Sequence, residues 1–364
     1  MVLGKVGLTF DAWSSRVFEG FGAITIHWLD DNFHPKSTLL EFCCFPPPHT
    51  TIAHAQFVYD AIREYGISSQ VRAITTDNAE NLRGLLSNLQ TLLAPDLVEL
   101  TNDVHVRCGC HVINIAVKKF LAVINDDIVV ARKLVNSIRA SLAGRKIFYT
   151  LASQQTILNQ QQYHDQIQTV SNPAVVKSPA IVRMPTPACV TRWNSTYSML
   201  DSLLNARAVI DQMCNRHDRS PWEQHKISPE KWSLFERYRD FLQEAYHCTA
   251  VVGGEAYVTI SLQPKIMTAL LNQCSRTLSD NSEPAWVTDN IRNAIKAMED
   301  SLKKYQPYMQ GLLPKLALFL DPRELQTSPM VIEMKEHVKE LIRRYYTIEP
   351  SNQVCFFLFS FFLF

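Results

Sequence analysis

Val71-Arg-Ala-Ile-Thr-Thr76 runs directly into Asp77, and Val6-Gly-Leu-Thr-Phe10 runs into Asp11 in the same way. Each is a short run rich in apolar and β-branched residues, the pattern of a buried strand that stops at a turn. A carboxylate held at a strand end by a rigid sheet can bind a divalent cation for phosphoryl chemistry, because Mg²⁺ takes hard oxygen ligands. It can equally serve as a turn or cap residue, the commoner use of Asp at such a place. One such Asp would decide little; the neighbouring segments have to be read with the pair.

Working outward, residues 5–11 form the first strand. Residues 21–29 alternate, with Ile24, Ile26 and Trp28 on one face and Ala23, Thr25 and His27 on the other. Residues 38–45 are mostly apolar and stop at Pro46-Pro-Pro48, which cannot continue a ladder. His54 to Tyr65 places Phe57, Val58, Ala61, Ile62 and Tyr65 at helical spacing before Gly66. After strand 71–76, a helix is expected from about Glu80 to Leu93, a fifth strand from about Val104 to Cys108, and a helix from His111 to Ala122. Three strands, a helix, then strand, helix, strand and helix predict a mixed α/β domain.

Beyond it the chain reads as helical. Residues 129–162 are compatible with helix and end in a Gln-rich stretch, Gln154-Gln155 to Gln160-Gln-Gln162. Residues 171–190 hold Pro173, Pro179, Pro185 and Pro187, and read as a linker or an ordered irregular loop. Helical spacing returns in Trp232, Phe235, Tyr238 and Phe241, and again in Val331, Met334, Val338 and Ile342.

Composition agrees with a folded protein: of 364 residues, 46% are hydrophobic and 20% charged, which excludes disorder throughout. The nine cysteines show no regular spacing, so they are expected as reduced thiols rather than a disulfide framework. A net charge of +1 argues against a nucleic-acid binder that is basic over its whole surface. The charge is uneven, however. Residues 111–150 carry Lys118, Lys119, Arg132, Lys133, Arg139, Arg145 and Lys146 against Asp126 and Asp127, either a phosphate-facing surface or a solvated helix face.

Five segments, in this order, resemble the catalytic core of hAT-superfamily DNA transposases, the hobo, Activator and Tam group. They are Leu8-Thr-Phe-Asp-Ala-Trp-Ser-Ser15, Ile74-Thr-Thr-Asp-Asn-Ala-Glu-Asn81, Arg107-Cys-Gly-Cys-His-Val-Ile-Asn114, Thr191-Arg-Trp-Asn-Ser-Thr-Tyr-Ser-Met-Leu200 and Leu316-Ala-Leu-Phe-Leu-Asp-Pro-Arg323. The resemblance implies an α/β fold, an RNase H-like mixed sheet carrying a large all-helical insertion domain. Its expected division is a core over 1–125 with the two aspartates, a helix and connection over 126–190, a helical domain over 191–349 and a Phe/Leu-rich tail over 350–364. It also implies DNA, in the form of transposon ends, as partner, a nuclear location, and homo-oligomers among full-length relatives, with no membrane.

On this reading Asp11 and Asp77 are ligands of Mg²⁺ or Mn²⁺, on adjacent central strands. The implied chemistry is two-metal phosphodiester cleavage and strand transfer. Cys108 and His111 have C-x-x-H spacing that suggests zinc, yet zinc needs four ligands and no second pair sits at a suitable distance along the chain. The resemblance instead has them position DNA near the cut, the alternative being plain packing; Cys110 is expected in the core. Arg192 and Trp193 could be an ordinary helix start capped by Asn194 or Ser195. The resemblance has Trp193 stack on a base flipped out beside the cut, a contact worth roughly 1–3 kcal/mol. Here Ala188-Cys-Val190 stands where related chains often carry an acidic residue. Asp321-Pro-Arg323 reads as a packing motif.

Related transposases complete the metal site with a glutamate in a Ser-Glu-Arg-x-Phe-Ser segment within a dimerisation region, and carry a BED-type zinc finger before the core. Neither occurs in these residues, and Glu324, Glu333, Glu336, Glu340 and Glu349 fall in a stretch that precedes the segment. The expectation is a transposase-derived chain, incomplete and inactive as it stands, or alternatively a non-catalytic factor recruited for DNA association or protein interaction. A weaker alternative is an unrelated RNase H-like nuclease. The run Val354-Cys-Phe-Phe-Leu-Phe-Ser-Phe-Phe-Leu-Phe364 is shorter than the about 20 apolar residues a membrane span needs. The hypothesis for it is a translated intron, since Gln353-Val354 can be encoded across a splice-donor sequence; a spliced transcript that retains it would sink the idea.

Overall fold

The computed structural model describes residues 5–15, 19–46 except 33, 48, 50–77, 84–94, 105–169, 181–189, 192–215, 221–254, 257–279, 287–321, 323, 332 and 335. The late glutamates, the last helical pattern and the tail singled out above lie outside the described residues.

Five strands form one sheet: β1 (Val6–Ser14), β2 (Gly20–Leu29), β3 (Pro35–Cys44), β4 (Val71–Thr76) and β5 (His105–Arg107), in the order β3-β2-β1-β4-β5. β1 pairs antiparallel with β2 and parallel with β4; β2–β3 is antiparallel and β4–β5 parallel. This is the RNase H-like mixed sheet. β1 is longer than the sequence reading placed it. Its parallel partner stops at Phe10↔Thr76, but the antiparallel ladder with β2 continues from Asp11↔Ala23 to Ser14↔Gly20. Asp11 therefore sits inside a strand, at the point where only one of its neighbours ends.

The period-2 pattern sends Leu8, Phe10, Ile24, Ile26 and Ile74 to one face of the sheet. There they meet α1 (Thr51–Glu64), through Ala55, Val58, Ala61 and Ile62, and α2 (Leu85–Leu93), through Leu85, Leu89 and Leu93. Helix α1 starts where the Thr50 hydroxyl accepts the Ala53 N–H at 3.1 Å, and ends before Gly66, whose φ of 63° suits a residue without a Cβ. Tyr65, expected on the core stripe, is 49% exposed because it lies past the last helical turn. Full burial of side chains such as Ile62 and Leu89 contributes roughly 1.5–3 kcal/mol each.

The opposite face presents Ala73 and Val106, and these are covered by Ile260, Val258, Leu313 and Ala317. Residues 1–115, 248–272 and 300–364 accordingly form one compact unit, and 116–247 with 273–299 a second. Parts of the region assigned from sequence wholly to the helical domain thus pack with the sheet, because their apolar residues supply what that face lacks.

The remaining helices are α3 (Gly109–Val123), α4 (Asn125–Ala140), α5 (Leu142–Thr169), α6 (Trp193–Asn205), α7 (Arg207–Cys214), α8 (Pro229–Val252), α9 (Gln263–Leu278), α10 (Asp289–Met309) and α11 (Leu312–Leu320). The single helix-compatible stretch at 129–162 is two helices, broken at Ser141, whose φ of −105° and ψ of 142° are extended. In the second unit Phe120 stacks on Phe241 with ring centroids 4.8 Å apart, and Asp127 joins the Lys231 ammonium to the Tyr238 hydroxyl.

Candidate active site

One position beyond the last parallel pair, Phe10↔Thr76, stand Asp11 and Asp77. Side chains in register on neighbouring strands share a face, and this face is the one opposite the α1–α2 core. Their charges interact: burial of the Asp11 carboxyl first, and then the neighbouring Asp77, push its pKa above the ordinary 3.8, although the residue keeps exposed surface. The Ala12 N–H and His111 act in the opposite direction without cancelling the rise. Two carboxylates that repel one another across a sheet offer hard oxygen donors for a cation.

The turn that carries Asp77 is pinned from below. Thr76 is buried, and its hydroxyl donates to the Asp77 carbonyl at 2.9 Å while lying 2.8 Å from His105 Nε2. Burial, helped by Arg107, lowers His105 to about 4, so its ring is neutral at pH 7. A neutral ring with hydrogen on Nε2 donates to Thr76, completing a His105–Thr76–Asp77 chain. Cys108 N–H donates to Thr76 O at 2.9 Å, extending the β4–β5 ladder to the start of α3.

Helix α3 brings the C-x-x-H pair to the same place. His111 Nδ1 lies 3.9 Å from Asp77 Oδ2, with both side chains about 30% exposed (30% and 29%). The Cys108 thiol is held below its usual value by Cys110 and by the N–H groups of His111 and Cys110; burial and Asp77 oppose this. Cys110 is pushed up, first by Cys108, and its thiol faces Thr249 O at 3.6 Å. Gly109 admits no side chain, since a Cβ there would lie 2.9 Å from Val252 Cγ1. Among the described residues no group of three or more His, Cys, Asp or Glu is arranged around a common metal position.

The structure thus gathers Asp11, Asp77, Cys108 and His111. Arg192 and Trp193 belong to the other compact unit. Arg192 is the N-cap of α6 and is exposed. Asn194 and Ser195 are not caps: they lie within the helix, and the Ser195 hydroxyl instead accepts from Cys189 N at 2.7 Å. Trp193 is 4% exposed and meets Tyr246 edge-on at 6.5 Å. In this conformation it is a packing residue, and a base could stack on it only after the ring left that place.

Sequence reading missed the His105–Thr76 support, for which the only local signal was the alternation of β5. It also missed Gln263, buried beside Gly109, which donates to Arg107 O at 3.2 Å while its Oε1 has no partner among the described residues. No sequence signal links residues so far apart. Asp321 and Arg323 behave as the packing motif they resembled. Asp321 is 2% exposed and accepts from Ser261 at 2.7 Å and from Arg323 Nε at 2.8 Å. Burial pushes its carboxyl up, but the Arg323 and Ser261 hydrogen bonds outweigh it and hold the pKa at about 2.

The chain matches two family models, the ZBED1 RNase-like domain over residues 9–103 and the ZBED1 RNase-like helical domain over residues 106–241. It is 24% identical to the putative AC transposase of Zea mays over 88% of this chain and 37% of that protein. It is 22% identical to the putative transcriptional regulator tpeD of Talaromyces stipitatus, over 81% and 35%. With the zinc finger BED domain-containing protein RICESLEEPER 2 of Oryza sativa subsp. japonica, identity is 21% over 88% and 40%. The chain therefore spans less than half the length of these relatives.

Proposed function

Because this chain belongs to the hAT transposase family, we propose that Asp11 and Asp77 form a divalent-cation half-site for phosphodiester chemistry on DNA. The observation that carries the reading is the placement of the two carboxylates one position beyond the Phe10↔Thr76 pair, on β1 and after β4, where burial and then Asp77 push the Asp11 carboxyl above its ordinary value. Mg²⁺ or Mn²⁺, when bound, would polarise a phosphodiester oxygen and lower the barrier to attack at phosphorus.

The chain's own residues supply orientation. The His105–Thr76 chain fixes the Asp77 main chain. His111 stands where it can hold the Asp77 carboxylate or donate to a phosphate oxygen. Two carboxylates suffice for one cation held weakly; two-metal cleavage needs further acidic ligands. These 364 residues are accordingly proposed to bind one divalent cation and to cleave DNA slowly or not at all. The setting for such chemistry is the nucleus, and no described helix is long and apolar enough to cross a membrane.

The test is Mn²⁺ binding by calorimetry, with a nicking assay on supercoiled DNA beside it. Asp77→Ala should abolish cation binding. Fast cleavage abolished by the same substitution would show that a carboxylate outside the described residues completes the site. A second reading, a non-catalytic DNA-associated factor, is favoured by the similarity to a protein named a transcriptional regulator. On that reading no Asp11- or Asp77-dependent cation binding is measured.

A further inference from the structure

From Ile128 to His164 the chain contains no Asp or Glu, yet it carries Arg132, Lys133, Arg139, Arg145 and Lys146. They flank the corner at Ser141 in sequence, Arg132, Lys133 and Arg139 on α4 and Arg145 and Lys146 on α5, where the Ser141 hydroxyl accepts the Gly144 N–H at 2.8 Å. Lys133, Arg145 and Lys146 are exposed; Arg132 and Arg139 are half-buried. Among the described residues, several carboxylates elsewhere in this unit serve other cations: Asp127 meets Lys231, Asp211 and Glu236 meet Arg207, and Asp201 meets Arg239.

The arginines of the corner rest on neutral acceptors. Arg139 Nη1 donates to Pro185 O at 3.0 Å, and Arg145 Nη1 donates to Arg139 O at 3.0 Å. Among the described residues these contacts hold both guanidiniums in place and neither forms an ion pair. The Arg132 Nε is buried and has no partner among the described residues. Arg145 also lies in the first turn of α5, the end at which a helix disfavours cations. Tyr149, one turn beyond Arg145, is 57% exposed. In a chain of net charge +1, such a local surplus is a placed feature rather than a general excess.

We propose that the α4–α5 corner is a docking surface for the phosphate backbone of duplex DNA. Guanidinium forks held by backbone carbonyls suit a rigid array of phosphates better than the mobile headgroups of a lipid surface. The assignment rests on the reading of DNA as the partner, and extends it to a surface in the unit that lacks the two aspartates.

The experiment is fluorescence anisotropy of the full chain with a labelled duplex of arbitrary sequence, across a salt series. Each phosphate contact contributes a slope of about 0.9 in log K against log salt. Lys133→Gln/Lys146→Gln, both at exposed positions, should lower the slope by about 1.8, which is a loss of roughly 60-fold at about 0.1 M salt relative to 1 M. Lys296→Gln, exposed on α10, removes a like charge elsewhere and should leave the slope unchanged. The proposal is overturned if the double variant keeps the parental slope or Lys296→Gln lowers it per charge as much. It also fails if the chain does not bind the duplex, or if the double variant loses only binding to anionic vesicles. Manganese calorimetry on the same protein separates the two readings, since cation binding at Asp11 and Asp77 does not involve this corner.

Discussion

Asp11→Asn should make the protein more stable at neutral pH, although it removes a side chain from the candidate site. Neighbouring parallel strands run about 4.8 Å apart, and the two aspartates stand one position beyond the last pair across that gap, Phe10↔Thr76. Like charges about 5 Å apart repel by roughly 0.8 kcal/mol in a water-like medium and roughly 3 kcal/mol at an effective dielectric of about 20. Asp11 keeps exposed surface, so solvent screening places the value near the low end, about 1 kcal/mol. A gain of that size raises the melting temperature by about 2–4 °C. The folded pKa of Asp11 is raised, so the penalty is absent well below the ordinary 3.8, where the group is protonated folded or unfolded. It grows as pH rises through 3.8 towards the raised folded value and is fully present above it. Thermal melts by circular dichroism at pH 7 and near pH 3 should therefore show a gain that disappears in acid. Added Mn²⁺ at about 100 times its dissociation constant should stabilise the parent by about 2.7 kcal/mol and the variant far less. Destabilisation by Asp11→Asn at pH 7, or an equal gain at both pH values, would refute the reasoning.

Asp321→Asn should cost roughly 2–3 kcal/mol by urea denaturation, because Ser261 and Arg323 lose their shared anion. The parent should lose a similar contribution on acidification from about pH 4 to pH 2, since a carboxyl held at about 2 favours the folded state only while ionised. Trp193→Ala should cost about 3–5 kcal/mol, as expected for emptying a buried aromatic site; a small stability loss with a large loss of DNA affinity would return Trp193 to the stacking role. Gly109→Ala should destabilise by about 1–3 kcal/mol, since its Cβ would meet Val252 Cγ1 at 2.9 Å; unchanged urea midpoints would show that α8 gives way.

Much of the sheet was legible because its signals are local. The alternation in β2 put Ile24 and Ile26 inside, and Val71 to Thr76 read as a strand that stops at Asp77. The extent of β1 was not legible, because a strand ends where its partners end, and β2 outlasts β4. The break at Ser141 did have a local cue, a serine followed three residues later by glycine, but the apolar period ran on across it. The proximity of His111 to Asp77 is visible only once β5 is placed beside β4. Likewise Trp193 could not be assigned to packing without Tyr246, which lies two helices further along the chain.

The cover over Ala73 and Val106 has a consequence in time. Those residues leave the ribosome long before Leu313 and Ala317, which complete their packing. At about 5–20 residues per second, translation from Val106 to Ala317 takes roughly 10–40 s. Until Val258 and Ile260 emerge that side of the newborn sheet lacks its apolar partners, and its cover stays incomplete to the end of the interval, exposed to chaperones, to other nascent chains and to aggregation. A synonymous-codon change that slows synthesis between β5 and α11 would lengthen this vulnerable period without altering a single residue of the finished protein.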